Sequence, residues 1–223
     1  GIVAANSAIS AWLALANKYN ENNNVVVNVI GEWSLDEGIV HETLTLVKIW
    51  EIPLIILCEN NFYSQTTVHK NHLPYPSISK AMRDFYNIEV EKIENGTDLI
   101  HLQNRLQHIV DYVRRTRKPV FVEVNTYRFC GHSVNDEEQL YRDKELNKKW
   151  KERDPLILLK KQILAKNKKD KEKISSIECE IINNFKKLEK ETFKNLGIDI
   201  KEAENLKNSQ LSSRINDIIK DLE

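Results

Sequence analysis

Residues 25–61 read VVVNVIGEWSLDEGIVHETLTLVKIWEIPLIILCENN, and the order of patterns inside this stretch sets the fold class. Val25–Ile30 is a β-branched run that stops at Gly31, and β-branched side chains fit a pleated surface. Glu37–Trp50 places apolar residues Ile39, Leu44, Leu46, Val47 and Ile49 at positions that read as a helix. Pro53–Cys58 is a second apolar run of strand length. Strand, helix, strand is a unit whose two strands lie parallel, because the helical crossover carries the chain back to its starting end.

The alternation continues on both sides. Residues 5–19 are Ala-rich with helical spacing, and Glu21–Asn24 form a polar turn before the first strand. Downstream come a short helix at Ser79–Tyr86, a third strand at Ile88–Ile93, a long amphipathic helix at Asp98–Arg115 and a fourth strand at Val120–Thr126. This is the pattern of an α/β protein with a doubly wound parallel sheet. The strand runs are continuous rather than alternating, which predicts strands buried on both faces. After Asp154-Pro155 the pattern is helical throughout: 155–166, then 171–196 up to Gly197, then a weaker stretch in 202–222.

Charge divides the chain. Residues 151–223 hold 31 charged side chains in 73 positions, against 35 in the first 150. The expectation is a compact α/β domain over 1–150 and a charged helical C-terminal extension over 151–223. Apolar stripes at Leu156, Leu159, Ile163 and Leu164, and at Ile174, Ile177, Ile181 and Phe185, are expected to be buried, either within the chain or against a partner. The chain opens on Gly1 rather than Met and shows no signal peptide, which reads as a sequence lacking its N-terminal part. Lys+Arg and Asp+Glu tie at 33 each, which argues against a nucleic-acid binder. No apolar run reaches membrane-spanning length. Three widely spaced cysteines, Cys58, Cys130 and Cys179, fit neither a disulfide framework nor a four-cysteine zinc site, and a reducing compartment is the default.

Ligands of open parallel sheets bind beyond the carboxyl ends of the strands. Three loops stand there: Gly31–Gly38, Glu59–Thr67 and Tyr127–Arg142. In the first, Glu32 suits a hard cation with oxygen ligands; equally, an acid there complements a helix dipole. In the second, Asn60 and Asn61 are turn formers tolerant of left-handed backbone, or offer an amide oxygen to a metal. Neither loop decides the matter alone.

Taken together they do more. Gly31-Glu32-Trp33, a spacer of 26 residues, then Asn60-Asn61 resembles the thiamine diphosphate signature, Gly-Asp-Gly, spacer, Asn-Asn. The surrounding pieces agree: GIV at 1–3, EGIVHETL at 37–44, WEIPLIILCENN at 50–61, TYRFCGHS at 126–133, Tyr141-Arg142, and WKERDPLILL at 150–159. The chain resembles the alpha subunit of a thiamine diphosphate-dependent 2-oxo acid dehydrogenase of the pyruvate, branched-chain or acetoin type, over residues 1–159.

The resemblance implies the thiamine diphosphate-binding fold, with the cofactor's diphosphate held through Mg²⁺. Glu32 stands where most members have Asp, Asn61 matches the side-chain amide ligand, and Tyr63 matches a position that gives its backbone carbonyl. Gly31, Trp33 and Ser34 complete the diphosphate turn. Gly1 and Val3 match residues whose backbone meets the aminopyrimidine ring. His132 matches a loop histidine near the reacting carbons, suited to proton donation. Ser133 matches a serine phosphorylated in mitochondrial members. Arg128 and Arg142 flank that loop, to order it, to attract a substrate carboxylate, or as plain surface ion pairs. The implied reaction is oxidative decarboxylation of a small 2-oxo acid with acyl transfer to a lipoyl domain of the acyltransferase core. The implied assembly is an alpha2-beta2 heterotetramer in which the beta subunit supplies the glutamate that activates the cofactor, so the chain acts only with beta. The implied location is the cytoplasm for a bacterial-type protein, or the mitochondrial matrix or a plastid for a eukaryotic one.

Two positions depart from the pattern. Trp33 occupies the second glycine of the signature, and Asp36 adds negative charge beside a diphosphate site. A second reading is therefore a diverged, non-catalytic alpha-like subunit that keeps the fold and the beta interface. A third is an unrelated doubly wound nucleotide binder.

Overall fold

The computed structural model describes residues 2–133, 136 and 140–197. Gly1 and the helix expected at 202–222 lie outside the described residues. The chain divides into two compact units, Gly1–Leu159 and Lys160–Glu223.

In the first unit the chain runs α1 (Ala5–Tyr19), β1 (Val26–Gly31), α2 (Gly38–Trp50), β2 (Leu54–Asn60), a two-strand hairpin β3 (Tyr63–Ser64) and β4 (Thr67–Val68), α3 (Ile78–Tyr86), β5 (Glu89–Ile93), α4 (Leu99–Thr116), β6 (Val120–Asn125) and α5 (Lys144–Glu152), and α6 (Pro155–Lys166) runs across the boundary between the units. Four strands form one sheet in the order β1-β2-β6-β5, with every pairing parallel. The chain steps from β1 to β2, skips a place to β5, and returns to fill the gap with β6. With right-handed crossovers, that reversal sends the later helix to the opposite face. The cores show it. Ala11 and Ala14 of α1, Val40, Leu44 and Val47 of α2, and Ile78 and Met82 of α3 pack on Ile30, Leu54, Ile56, Cys58 and Phe121. Ile109 and Val113 of α4 pack on Ile55, Val120, Val122 and Val124 from the other side. The sheet is doubly wound, as its alternation predicts.

The expectation of burial on both faces holds for β6, whose six residues are all buried, and fails for β1. Val27 is 48% exposed and Val29 47%. β1 is an edge strand; α1 covers its inner face, whereas α4 packs on β2, β5 and β6. Helix α2 likewise buries Leu44 and Val47 but leaves Ile39, Leu46 and Ile49 exposed. One helix face meets the sheet, through Val40, Thr43, Leu44 and Val47, and the other apolar positions fall off that stripe.

In the second unit the helix α7 (Asp170–Asn195) carries no buried residue, and Ile177, Ile181 and Phe185 are exposed. Of the two expected uses, burial of that stripe within the chain is not seen among the described residues. Leu156 of α6 is exposed as well.

Candidate functional site

The site lies where β1 and β2 end. Gly31, the last residue of β1, lies opposite Glu59, the last but one of β2, so the two following turns are neighbours. After β1 the chain enters a tight 3-10 turn, Glu32–Asp36. After β2, Asn60 and Asn61 lead into Phe62, whose φ of 67° is left-handed. The Asn60 side-chain oxygen accepts from Phe62 N–H at 3.0 Å, the local bond that lets asparagine stabilise such a turn.

Glu32 is 1% exposed. Its Oε2 accepts from both the backbone N–H and the side-chain Nδ2 of Asn61, each at 3.3 Å. Its Oε1 is buried and has no donor, and neither does the buried Oδ1 of Asn61. Burial pushes the Glu32 carboxyl up from its ordinary value, opposed by backbone N–H groups including those of Asn61 and Tyr63 and by the charge of His72. Two acceptor oxygens without donors, one of them on a carboxylate, form a donor set suited to a hard cation; lost hydrogen bonding in such a place is otherwise costly. Among the described residues no cluster of three or more His, Cys, Asp or Glu groups could hold a metal, so further oxygens have to come from backbone or ligand. The residues present fit Mg²⁺ with a diphosphate. Gly31 fits too: a Cβ there meets nothing within 4 Å, so its bareness serves no packing inside the chain and leaves the backbone approachable.

Trp33 is 41% exposed. Its indole lies against the His72 ring, centroids 4.7 Å apart. His72 Nδ1 is in turn 2.8 Å from Asp36 Oδ2. The Asp36 charge is thus engaged by a histidine from the segment after the β3–β4 hairpin. Ser34 is buried beneath the turn. Sequence reasoning noted Trp33 and Asp36 but not His72, because nothing in the spacing joins residues 36 apart.

Tyr63 is buried and pairs with Val68 across the hairpin. Its ring lies under the Arg142 guanidinium, 4.9 Å from its centroid, and a second ring, Tyr127, is at the same distance. Arg142 also donates to the Arg128 carbonyl. Arg128 donates to the Gln65 carbonyl at 2.7 Å and to the Tyr141 hydroxyl at 2.8 Å. Both arginines therefore order the loop and tie it to the hairpin; Arg142 is buried, not a surface ion-pair residue. His132 is exposed, with Nδ1 3.3 Å from Arg128 Nη1. Its backbone N–H donates to Asp136 Oδ2 at 2.7 Å, as does Tyr141 OH at 2.6 Å. These donors hold the Asp136 carboxyl below its ordinary value, the tyrosine hydroxyl most of all.

The structure brings Gly31, Glu32, Trp33, Ser34, Asn61 and Tyr63 together. His132 and Val3 make no hydrogen bond to that group; Val3 is exposed in the turn before α1, and Gly1 is outside the described residues. Glu123, Asp136 and Gln65 were missed. A buried glutamate in the strand run VFVEVN was the legible sign of the first.

Comparison with known proteins gives a consistent answer. The profile of the family described as Dehydrogenase E1 component matches residues 1–196. The chain is 34% identical to the pyruvate dehydrogenase E1 component subunit alpha of Rickettsia felis, over 74% of this chain and 49% of the relative. It is 34% identical to the protein of that name from Rickettsia typhi, over 80% and 54%. It is 27% identical to the testis-specific mitochondrial form from Homo sapiens, over 81% and 46%. The chain spans about half the length of these relatives. With the parallel sheet and the paired turns, the match over 196 of 223 residues places the chain in the dehydrogenase E1 component family, among its alpha subunits.

Proposed function

We propose that this chain is the alpha part of a thiamine diphosphate-dependent 2-oxo acid dehydrogenase, acting on pyruvate or a similar small 2-oxo acid and passing the acyl group to a lipoyl domain. The observation that carries this reading is the pair of buried, donorless oxygens, Glu32 Oε1 and Asn61 Oδ1. They are the protein's side-chain ligands to Mg²⁺, with the Tyr63 carbonyl as a third. The backbone of Gly31, Trp33 and Ser34 would hold the diphosphate, and the resemblance assigns Val3 and Gly1 to the aminopyrimidine. When bound, thiamine diphosphate supplies the nucleophilic carbon and the electron sink for decarboxylation.

The chain's own contribution is positioning and a proton. Arginine only donates hydrogen bonds. With Arg128 Nη1 facing His132 Nδ1, Nδ1 accepts and Nε2 carries the proton. His132 thereby presents an N–H on its outward nitrogen, ready to donate to charge developing on the substrate. A beta subunit completes the site in an alpha2-beta2 assembly. The compartment is the cytoplasm in a bacterium, or the mitochondrial matrix or a plastid in a eukaryote. Among the described residues no helix is long and apolar enough to cross a membrane.

Trp33 favours a second reading, an alpha-like subunit without cofactor. The half-exposed indole sits at the turn that has to approach the diphosphate. Calorimetry with thiamine diphosphate and Mg²⁺, on the chain co-expressed with its beta partner and on Trp33→Gly, separates the two. Mg²⁺-dependent micromolar binding by the unaltered protein is expected. Binding by Trp33→Gly alone would establish the second reading, and binding by neither would overturn the cofactor assignment.

A further inference from the structure

We infer that Glu123 is a positioning residue for the cation site, acting on Asn61 through Asn60. The inference rests on the Glu32–Asn61 pair being that site.

Glu123 sits in the middle of β6, the strand enclosed on both sides by others, and is 3% exposed. A carboxylate there is costly unless donors surround it. Three do. Oε1 accepts from Asn60 Nδ2 at 2.9 Å. Oε2 accepts from Ser79 N–H at 3.0 Å and from the Ser79 hydroxyl. The group therefore joins the last residue of β2 to the first turn of α3. β2 and β6 run parallel with Cys58 opposite Glu123 and Asn60 opposite Asn125, which brings the two side chains together on one face.

Both ends of the Asn60 amide are engaged. Its nitrogen donates to Glu123 and its oxygen accepts from Phe62 N–H. Its backbone carbonyl accepts from Thr126 N–H at 2.9 Å. Asn61 is therefore held between a pinned residue and one kept at positive φ by that pinned residue's side chain. The Asn61 side-chain nitrogen is on Glu32, which leaves its oxygen turned to the unpartnered position.

The second acceptor oxygen has a specific use. Glutamine at 123 has one acceptor oxygen where the carboxylate has two. Its NH₂ would face either the Asn60 NH₂ or the Ser79 N–H, donor against donor. Placed on Asn60, that repulsion turns the Asn60 amide and releases Phe62 N–H. Asn61 then loses its fixed direction even though Glu123 touches neither Glu32 nor Asn61.

The test uses the full-length protein assembled with its beta partner, Mn²⁺ as a spin-active stand-in for Mg²⁺, and thiamine diphosphate. Glu123→Gln is compared with Ser79→Ala, which removes a donor from the α3 side and leaves the Asn60 bond. Three quantities are read: Mn²⁺ affinity by electron paramagnetic resonance, exchange of the Asn61 and Phe62 amides without metal, and Tm. Glu123→Gln is expected to weaken Mn²⁺ binding about 10–100-fold, the usual cost of losing an outer partner of a ligand, and to speed exchange of both amides. Ser79→Ala is expected to lower Tm with Mn²⁺ affinity within about twofold of the parent. In an Asn60→Ala background, Glu123→Gln is expected to add no further loss. Equal effects of Glu123→Gln and Ser79→Ala on affinity and exchange would overturn the inference, leaving Glu123 a structural anchor for α3. Failure of the unaltered protein to bind Mn²⁺ would remove the site reading, and the inference with it.

Discussion

The two oxygens of Glu32 differ in company: Oε2 takes both donors of Asn61, and Oε1 takes none. Burial already raises this carboxyl, so its ionised form costs the cofactor-free protein stability. Glu32→Gln removes that cost and the cation's anionic ligand together. The expected outcome, read by thermal unfolding with and without Mg²⁺ and thiamine diphosphate, is a higher Tm for the free variant than for the free parent, and no Mg²⁺-dependent rise in the variant. Sites held ready for charge are commonly places where stability is given up. That Glu32 and Asn61 belong together was legible in the sequence through the spacing that resembles the thiamine diphosphate signature. That one oxygen on each lacks a donor was not, since hydrogen-bond satisfaction depends on side-chain direction. His72 was invisible for a different reason: it reaches Asp36 only after the hairpin has turned the chain back.

Among the described residues between Tyr127 and Arg142, a carboxylate ties two others. Asp136 accepts from Tyr141 OH and His132 N–H, and these donors favour the ionised form. Its folded value is therefore depressed below the ordinary 3.8. The stabilising contribution is full above that ordinary value and is lost as pH falls through the depressed one. Exchange of the His132 amide, corrected for the intrinsic pH dependence, is expected to stay slow at pH 5 and to speed up as acid is added. In Asp136→Asn it should be fast at both. If the two proteins exchange alike at pH 5, the carboxylate does not hold the loop. Regular elements were easier to foresee than this loop. Helix α4 begins where Asp98 accepts from His101 N–H at 3.1 Å, an N-cap that a sequence displays openly. Helix α5 was missed because its residues, KELNKKWKE, bury nothing and so leave no apolar period to find. Hairpin β3–β4 has two residues per strand, too few for any alternation.

At the scale of the first unit, α1 and α2 together carry exposed apolar surface. Ile9, Trp12 and Leu13 of α1 and Leu46 and Ile49 of α2 all face out, with Trp12 and Trp50 in ring contact at 5.5 Å. Surface of this kind drives association. The chain expressed alone is expected to self-associate at micromolar concentration in size-exclusion chromatography with light scattering. Ile9→Ser with Ile49→Ser is expected to shift it toward monomer while moving stability by no more than about 0.5 kcal/mol per site, since neither residue is in a core. An unchanged elution profile would show that these residues carry no association. The fold class was readable here because alternation of element types survives any ambiguity about single residues. Edge position was not: β1 and β6 are equally rich in valine, and only the strand order tells which is covered.

That order also has a consequence in time. Glu32 and Asn61 are 29 residues apart, within one β-α-β unit, whereas Glu123 reaches Asn60 across 63. As the polypeptide leaves the ribosome, both turns are made while β6 is still to come. The neighbouring oxygens are thus the product of early, nearby chain, and the strand that fastens them arrives as the last member of the sheet. Contacts between near neighbours in sequence form faster than distant ones. Newly made chains therefore pass through an interval in which Glu32 and Asn61 are both made and not yet fixed, and the insertion of β6 between β2 and β5 ends it.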